Sequence, residues 1–187
     1  IRRQRQMCIR DRIQSIVDVT PSSINGDDAA VLHRSSPNSR VVATTDMLVE
    51  GRHFRWDVTT PRQVGRKAIV QNFADIEAMG ARPLAALLSL SAPKDLSVAV
   101  VTDLARGIGD EVGKYAAELV GGDVTSGDSL VLSVTAIGSL GGNRWALTLD
   151  GARAGQKLVA HGKIGYSAAG LALLESGRDI QEEFVPL

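Results

Sequence analysis

The sequence predicts an α+β domain, a mixed β-sheet with helices packed on one face, followed by the start of a truncated second α+β domain. Three observations carry this. Segments of strand length and of helical periodicity follow one another as strand, helix, strand, helix, strand, strand, the order of a sheet covered by helices. Glycine and proline punctuate nearly every junction. After Gly151 the pattern starts afresh, and the roughly 35 residues left are too few to bury a core of their own. The 187 residues therefore divide into residues 13–150 as one domain and residues 151–187 as the beginning of another, with residues 1–12 set apart for the reasons below.

Ile13, Ile16 and Val17 suggest the end of a short helix, and Pro21 to Gly26 reads as a turn leading to the apolar stretch Asp28 to Leu32. Val41 to Val49 reads as a strand around the polar centre Thr44-Thr45-Asp46. A helix opens at Thr60-Pro61, with Thr60 as N-cap and Pro61 in the first helical position, and stops at Gly80 before Pro83. Leu84 to Ala92 is the next strand. Ser97 to Tyr115 follows as a helix with Val101, Leu104, Ile108 and Val112 on one stripe. Glu118 to Val120 reads as a short strand running into Gly121-Gly122-Asp123, and Ser129 to Ile137 as a further strand. That last strand is apolar on both faces (Leu130, Leu132, Val134 and Ala136 against Val131 and Ile137), so it calls for cover from each side and invites a second chain. In the second segment, Lys157 to His161 is predicted as a strand and Ser167 to Ser176 as a helix ended by Gly177.

Composition excludes several function classes. The chain is 44% hydrophobic and 22% charged, as a globular domain is. No apolar run approaches the roughly 20 residues that span a bilayer, and no apolar stretch follows the basic N-terminus as a signal peptide requires; the expected location is cytoplasmic, without a membrane partner. Residues 1–12 hold five arginines and read as a non-native scar of assembly or cloning. Without them, 16 basic residues (21 less 5) face 20 acidic ones (21 less 1), which gives no electrostatic case for nucleic acid. Cys8, the only cysteine, lies in that stretch, so neither a disulfide nor a cysteine metal site can be drawn. The nearest approach to a P-loop, Gly109 to Tyr115, is too short, lacks the Ser/Thr after lysine and falls within a helix. His33, His53 and His161 are scattered and suggest no triad.

The aspartates are more informative. Asp27 and Asp28 follow Gly26, Asp46 follows two threonines in a strand, and Asp123 follows two glycines. Asp75 lies within the helix that begins at Pro61. There Ile69, Phe73 and Ile76 share the bulky apolar face, while Gln71, Asn72 and Asp75 fall on another beside Ala68 and Ala78. Carboxylates brought together from separate elements repel unless a cation neutralises them, and Mg²⁺, which takes oxygen ligands and is shared with phosphates, is the economical candidate. Any one aspartate alone reads as a turn former or surface charge, whereas spacing leaves both readings open for Asp28, Asp46, Asp75 and Asp123 together. The expectation to be tested is that these four converge on one acidic cleft.

Six blocks follow one another along the chain: Gly26-Asp27-Asp28-Ala29-Ala30-Val31, Thr44 to Phe54, Gly65 to Ala68, Asn72 to Ala81, Gly121-Gly122-Asp123 and Gly165 to Gly170. In order and spacing they resemble the thiamine-monophosphate kinase family, within the superfamily of aminoimidazole ribonucleotide synthetase. The resemblance covers residues from about 13 onward. It implies that residues 13–150 are an ATP- and Mg²⁺-binding N-terminal domain, pairing as a homodimer through its sheet. The implied reaction transfers the ATP γ-phosphate to thiamine monophosphate, giving thiamine diphosphate. By the same resemblance, Asp28, Thr44, Thr45, Asp46, Asp75 and Asp123 are metal ligands, Gly121, Gly122 and Asp123 border the nucleotide, and His53 contacts thiamine monophosphate. No residue is expected as a covalent catalyst or general base, since both reacting groups are phosphates and need charge neutralisation and alignment. Lys67 receives no role.

Two departures stand against the family pattern. Leu149 occupies the place of an ATP-contacting arginine, with Arg144 and Arg153 nearby but out of register. The family's later Asp-Gly metal motif and its thiamine-facing acidic residue are missing, so the chain reads as a truncated enzyme with an incomplete site. The alternatives are another ATP-dependent member of the superfamily, such as selenophosphate synthetase or aminoimidazole ribonucleotide synthetase, or a non-catalytic nucleotide- or metal-binding module.

Overall fold

Four strands form one sheet in the computed structural model, which describes residues 2–20, 22, 30, 32 and 36–176. They are β1 (Arg40–Val49), β2 (Arg82–Ala92), β3 (Glu118–Ser126) and β4 (Val131–Leu140), in the spatial order β1-β4-β2-β3. β2 and β3 pair parallel, and β4 is antiparallel to both of its neighbours, β1 and β2. The helices are α1 (Arg2–Val19), α2 (Pro61–Ala78), α3 (Val98–Lys114) and α4 (Tyr166–Glu175). Two compact units result, residues 1–147 with the sheet and α1–α3, and residues 148–187 with α4. The expected α+β architecture with a mixed sheet is the one that forms.

The core lies between one sheet face and the pair α2 and α3. Ile69, Phe73 and Ile76 of α2 and Leu104 and Ile108 of α3 are fully buried, against Leu90, Leu132, Val134 and Ala136 of the sheet. Local signals fix α2 before packing does. The Thr60 side chain accepts from the Gln63 backbone, and the Gln63 side chain accepts the Thr60 N–H in return. α2 and α3 then approach unusually closely. A Cβ at Gly65 would overlap the Leu104 carbonyl, and one at Gly107 would overlap that of Arg62, so each helix presents a glycine to the other's backbone. On the outer side of this contact, Glu111 of α3 bonds both Arg66 (2.7 Å) and Lys114 (2.6 Å). Burial, the largest single influence, pushes the Glu111 carboxyl upward. The hydrogen bonds from Lys114 and Arg66 and their charges together outweigh it and hold the carboxyl below its ordinary 4.5.

Some sequence expectations change. α1 extends well before residue 13, and Arg12 is buried with its guanidinium donating to the carbonyls of Pro93, Lys94 and Leu96. The helix therefore crosses the boundary expected at residue 12. β3 does not stop at Val120 but continues to Ser126, because parallel pairing with β2 carries it through both glycines. A Cβ at Gly122 would overlap the Leu88 carbonyl, so glycine is what lets the two strands meet there. Residues 157–161 form no strand; they are exposed, and no strand in the described residues pairs with them. Gly177, expected to end the last helix, lies outside the described residues, as does most of 21–35.

Three substitutions test stability, each read by urea unfolding of the protein. Gly65→Ala should cost about 3 kcal/mol through overpacking, whereas Gly113→Ala, where a Cβ meets nothing within 4 Å, should gain about 0.5–1 kcal/mol. Glu111→Gln should cost about 1–2 kcal/mol at pH 7. A carboxyl depressed by folding contributes fully above its unfolded value of 4.5 and loses that contribution as pH falls through the folded value. The gap between the two proteins should therefore close on acidification below about 4.5; a gap that persists unchanged at pH 3 contradicts the ion-pair account.

Candidate functional site

β1 is an edge strand with two unlike faces. Val42, Thr44, Asp46 and Leu48 alternate toward the helix-covered side, while Val41, Ala43, Thr45 and Met47 are exposed on the other. α2 runs along β1 in the opposite direction, and its polar strip meets the strand residue by residue. Lys67 Nζ donates to the His53 carbonyl oxygen at 2.7 Å. One turn on, Gln71 Nε2 donates to Asp46 Oδ2 at 2.7 Å. Beside it, the Asp46 backbone N–H donates to Asn72 Oδ1 at 3.0 Å. One turn further, Thr44 Oγ1 donates to Asp75 Oδ2 at 3.2 Å. The spacing of Lys67, Gln71 and Asp75, four residues apart, is that of a single helix face.

This seam brings Thr44, Asp46 and Asp75 together, all oxygen donors. Among the described residues neither carboxylate is in an ion pair. Thr45 points the other way; its hydroxyl donates to the Val134 carbonyl and accepts from Thr135. His53 lies just beyond β1 in a turn anchored by buried Phe54, whose ring meets Trp56 edge-on at 5.0 Å. Its Nδ1 accepts the Val49 backbone N–H at 3.0 Å. In the neutral ring that bond places the proton on Nε2, which is thus a hydrogen-bond donor.

The expected convergence of four aspartates requires correction. Asp123 pairs across the sheet with Ser89, and Ser89 with Ser133, whereas Asp46 pairs with Val134. Ser133 and Val134 are successive residues and point to opposite faces, so Asp123 and Asp46 do too. The strand order adds three strand spacings, about 14 Å, between them. No cluster of three metal-binding acidic or histidine side chains occurs among the described residues. Asp28 lies outside them. Gly121 and Gly122 sit with Asp123 on β3, at the far edge from the seam.

Sequence reasoning left Lys67 without a role and saw Gln71 and Asn72 only as a polar strip. The signal available was their spacing, with polar residues at 67, 71 and 75 on a helix that buries Ile69, Phe73 and Ile76 on another face. In the second unit, Leu149 lies exposed in a short 3₁₀ turn, Leu149–Gly151. Arg153 is folded back on that turn, donating to the carbonyls of Asp150 and Ala152.

Residues 26–140 match the family described as AIR synthase related protein, N-terminal domain. The thiamine-monophosphate kinase of Corynebacterium glutamicum is 68% identical over 163 residues, 87% of this chain and 49% of that enzyme. Among solved structures, the thiamine-monophosphate kinase of Stenotrophomonas maltophilia K279a superposes with a TM-score of 0.75 at 35% identity, over 91% of this chain and 53% of its own. A complex of AaThiL with AMPPCP and TMP gives 0.71 at 35% identity, over 91% and 53%. The chain spans about half the length of the curated relatives it matches.

Nitrogen-15 NMR checks the local geometry directly. Neutral His53 should carry its proton on Nε2 with Nδ1 shifted as an acceptor; the opposite tautomer would mean that the Val49 contact does not form.

Proposed function

This chain belongs to the AIR synthase related proteins, with their N-terminal domain at residues 26–140, and on that premise we propose that it works as part of an enzyme transferring the γ-phosphate of ATP to thiamine monophosphate. The observation that carries the reading is the 68% identity to a thiamine-monophosphate kinase over nearly all of this chain. The seam supplies a place for the chemistry. Thr44, Asp46 and Asp75 form an oxygen-only donor set that is in no ion pair among the described residues, which suits Mg²⁺ rather than a softer metal. Bound there, Mg²⁺ would neutralise charge on the phosphates of ATP. Asp46 and Asp75 hold negative charge at fixed positions on a strand and a helix, and His53 Nε2–H offers a donor to an acceptor on the phosphate ester substrate. Asp28 completes the proposed ligand set of the seam, while Thr45, whose side chain faces the other side of the sheet, would join a metal site only from that side; Gly121, Gly122 and Asp123 form the proposed nucleotide border.

Asp123 enters the same reading through a second copy of the chain. It lies on the sheet face away from α2 and α3, the face on which Val41 is 73% and Met47 52% exposed. Homodimerisation through that face would cover those apolar side chains and bring Asp123 against the partner. No helix is long and apolar enough to cross a membrane among the described residues, and the proposed setting is the cytoplasm, where ATP is available. Leu149, in place of the arginine that the resemblance leads one to expect, favours a second reading, a non-catalytic nucleotide-binding module.

Steady-state formation of thiamine diphosphate by the full-length protein separates the two. Asp46→Asn and Asp75→Asn should each lower turnover about 10²–10³-fold, the usual cost of losing electrostatic stabilisation of a transition state. His53→Ala should raise KM for thiamine monophosphate and leave that for ATP nearly unchanged. Absence of any thiamine diphosphate with the unsubstituted protein, while ATP still binds, would favour the non-catalytic module.

A further inference from the structure

We propose that Asn72 is the positioning residue of the cation site, holding Asp46 and Asp75 at a fixed offset before any ion arrives. The inference rests on the proposed reading of those carboxylates as metal ligands. Its basis is that three side chains join α2 to β1 within this seam, and Asn72 alone among them is fully inside the protein. Its exposure is 1%. Its bond to Asp46 and the Gln71–Asp46 bond are both part-buried and the Thr44–Asp75 bond is exposed, but Asn72 alone is also held by a second, fully buried bond, to the Ala68 carbonyl. Water competes least for its position, so Asn72 sets the geometry of the seam.

The chemistry of its partners determines the residue. Asn72 Oδ1 accepts the Asp46 backbone N–H at 3.0 Å, and Nδ2 donates to the Ala68 carbonyl at 2.9 Å. The first partner only donates and the second only accepts. A side chain here must therefore offer an acceptor and a donor at once, in one plane and at this reach, and an amide does so without charge. Leu would fill the space and satisfy neither; Ser is too short to span both.

Asn72 also sits between the two carboxylates in the linkage. Its backbone is on the same helical turn as Asp75, and its amide grips the backbone of Asp46. Movement of β1 along α2 would break this bond. The residue touches neither substrate nor ion; it acts through Asp46. Outer groups that orient metal ligands in this way typically contribute 10–100-fold to metal affinity.

The test uses the full-length protein with Mn²⁺ as probe, titrated in the presence of AMPPCP and followed by electron paramagnetic resonance, together with amide hydrogen exchange at Asp46 in metal-free protein. Asn72→Leu and Asn72→Ser should each weaken Mn²⁺ binding about tenfold or more and speed exchange of the Asp46 amide by a similar factor. KM for thiamine monophosphate should stay within twofold. Glu111→Gln, which lowers stability at the contact of α3 with α2 and touches none of the residues that bond β1, controls for destabilisation and should leave Mn²⁺ affinity unchanged. Two variants are used so that a folding failure of one leaves the other readable. If both bind Mn²⁺ within twofold of the unsubstituted protein while Asp46→Asn and Asp75→Asn do not, the positioning role is overturned and the metal site stands. If Asp46→Asn and Asp75→Asn also bind normally, the metal site itself is wrong and this inference falls with it.

Discussion

Helix α2 has to satisfy three neighbours at once, and the rest of the domain follows from how it does so. Below it, Ile69, Phe73 and Ile76 are withdrawn completely from water against the sheet. Beside it, paired glycines let it lie against α3 closely enough that backbone meets backbone. Along its remaining face, Lys67, Gln71, Asn72 and Asp75 engage β1 and the turn after it. The apolar face supplies most of the energy, at about 1.5–3 kcal/mol for each large side chain buried. It does not fix where the helix stops along the strand, because burial is non-directional. The polar face supplies that register, and through it the placement of the carboxylates.

What the sequence made legible follows this division. The ends of α2 could be read directly, since a capping box and Gly80 act within a few residues of chain. The apolar stripes of α2 and α3 were legible for the same reason, as periodicity is local. The polar strip was visible as a strip, but its partners were not, because they lie more than 20 residues away on β1. Asp123 shows the limit most clearly. Its glycine pair was read as the end of a short strand, whereas pairing with β2 carries the strand through it, and strand order cannot be read from spacing. With β4 inserted between β1 and β2, β3 becomes the far edge, and alternation turns Asp123 to the other face. The predicted strand at Lys157–His161 failed for a related reason: strand propensity has no effect without a partner to bond.

That geometry gives the proposed dimer a chemical purpose beyond the covering of apolar surface. One copy places Thr44, Asp46 and Asp75 at its first edge strand and Asp123 at its last, on the opposite face. On the proposed reading, a nucleotide bound between two copies would meet the glycines and Asp123 of one sheet and the seam of the other. The like charge of the separate carboxylates would then be gathered only where phosphate and cation are present to balance it, and each copy avoids the repulsion of a preformed acidic cage.

The central claim is that a divalent cation sits in the seam between β1 and α2. Paramagnetic broadening tests it most directly, with Mn²⁺ added at substoichiometric levels to the ¹⁵N-labelled full-length protein in the presence of AMPPCP. The account predicts that the amides of residues 44–46 and 71–75 broaden first and together, because both segments line the seam in which the ion would sit. Broadening that begins elsewhere, for example around the exposed pair Arg55 and Asp57, while those two segments stay sharp, would contradict it.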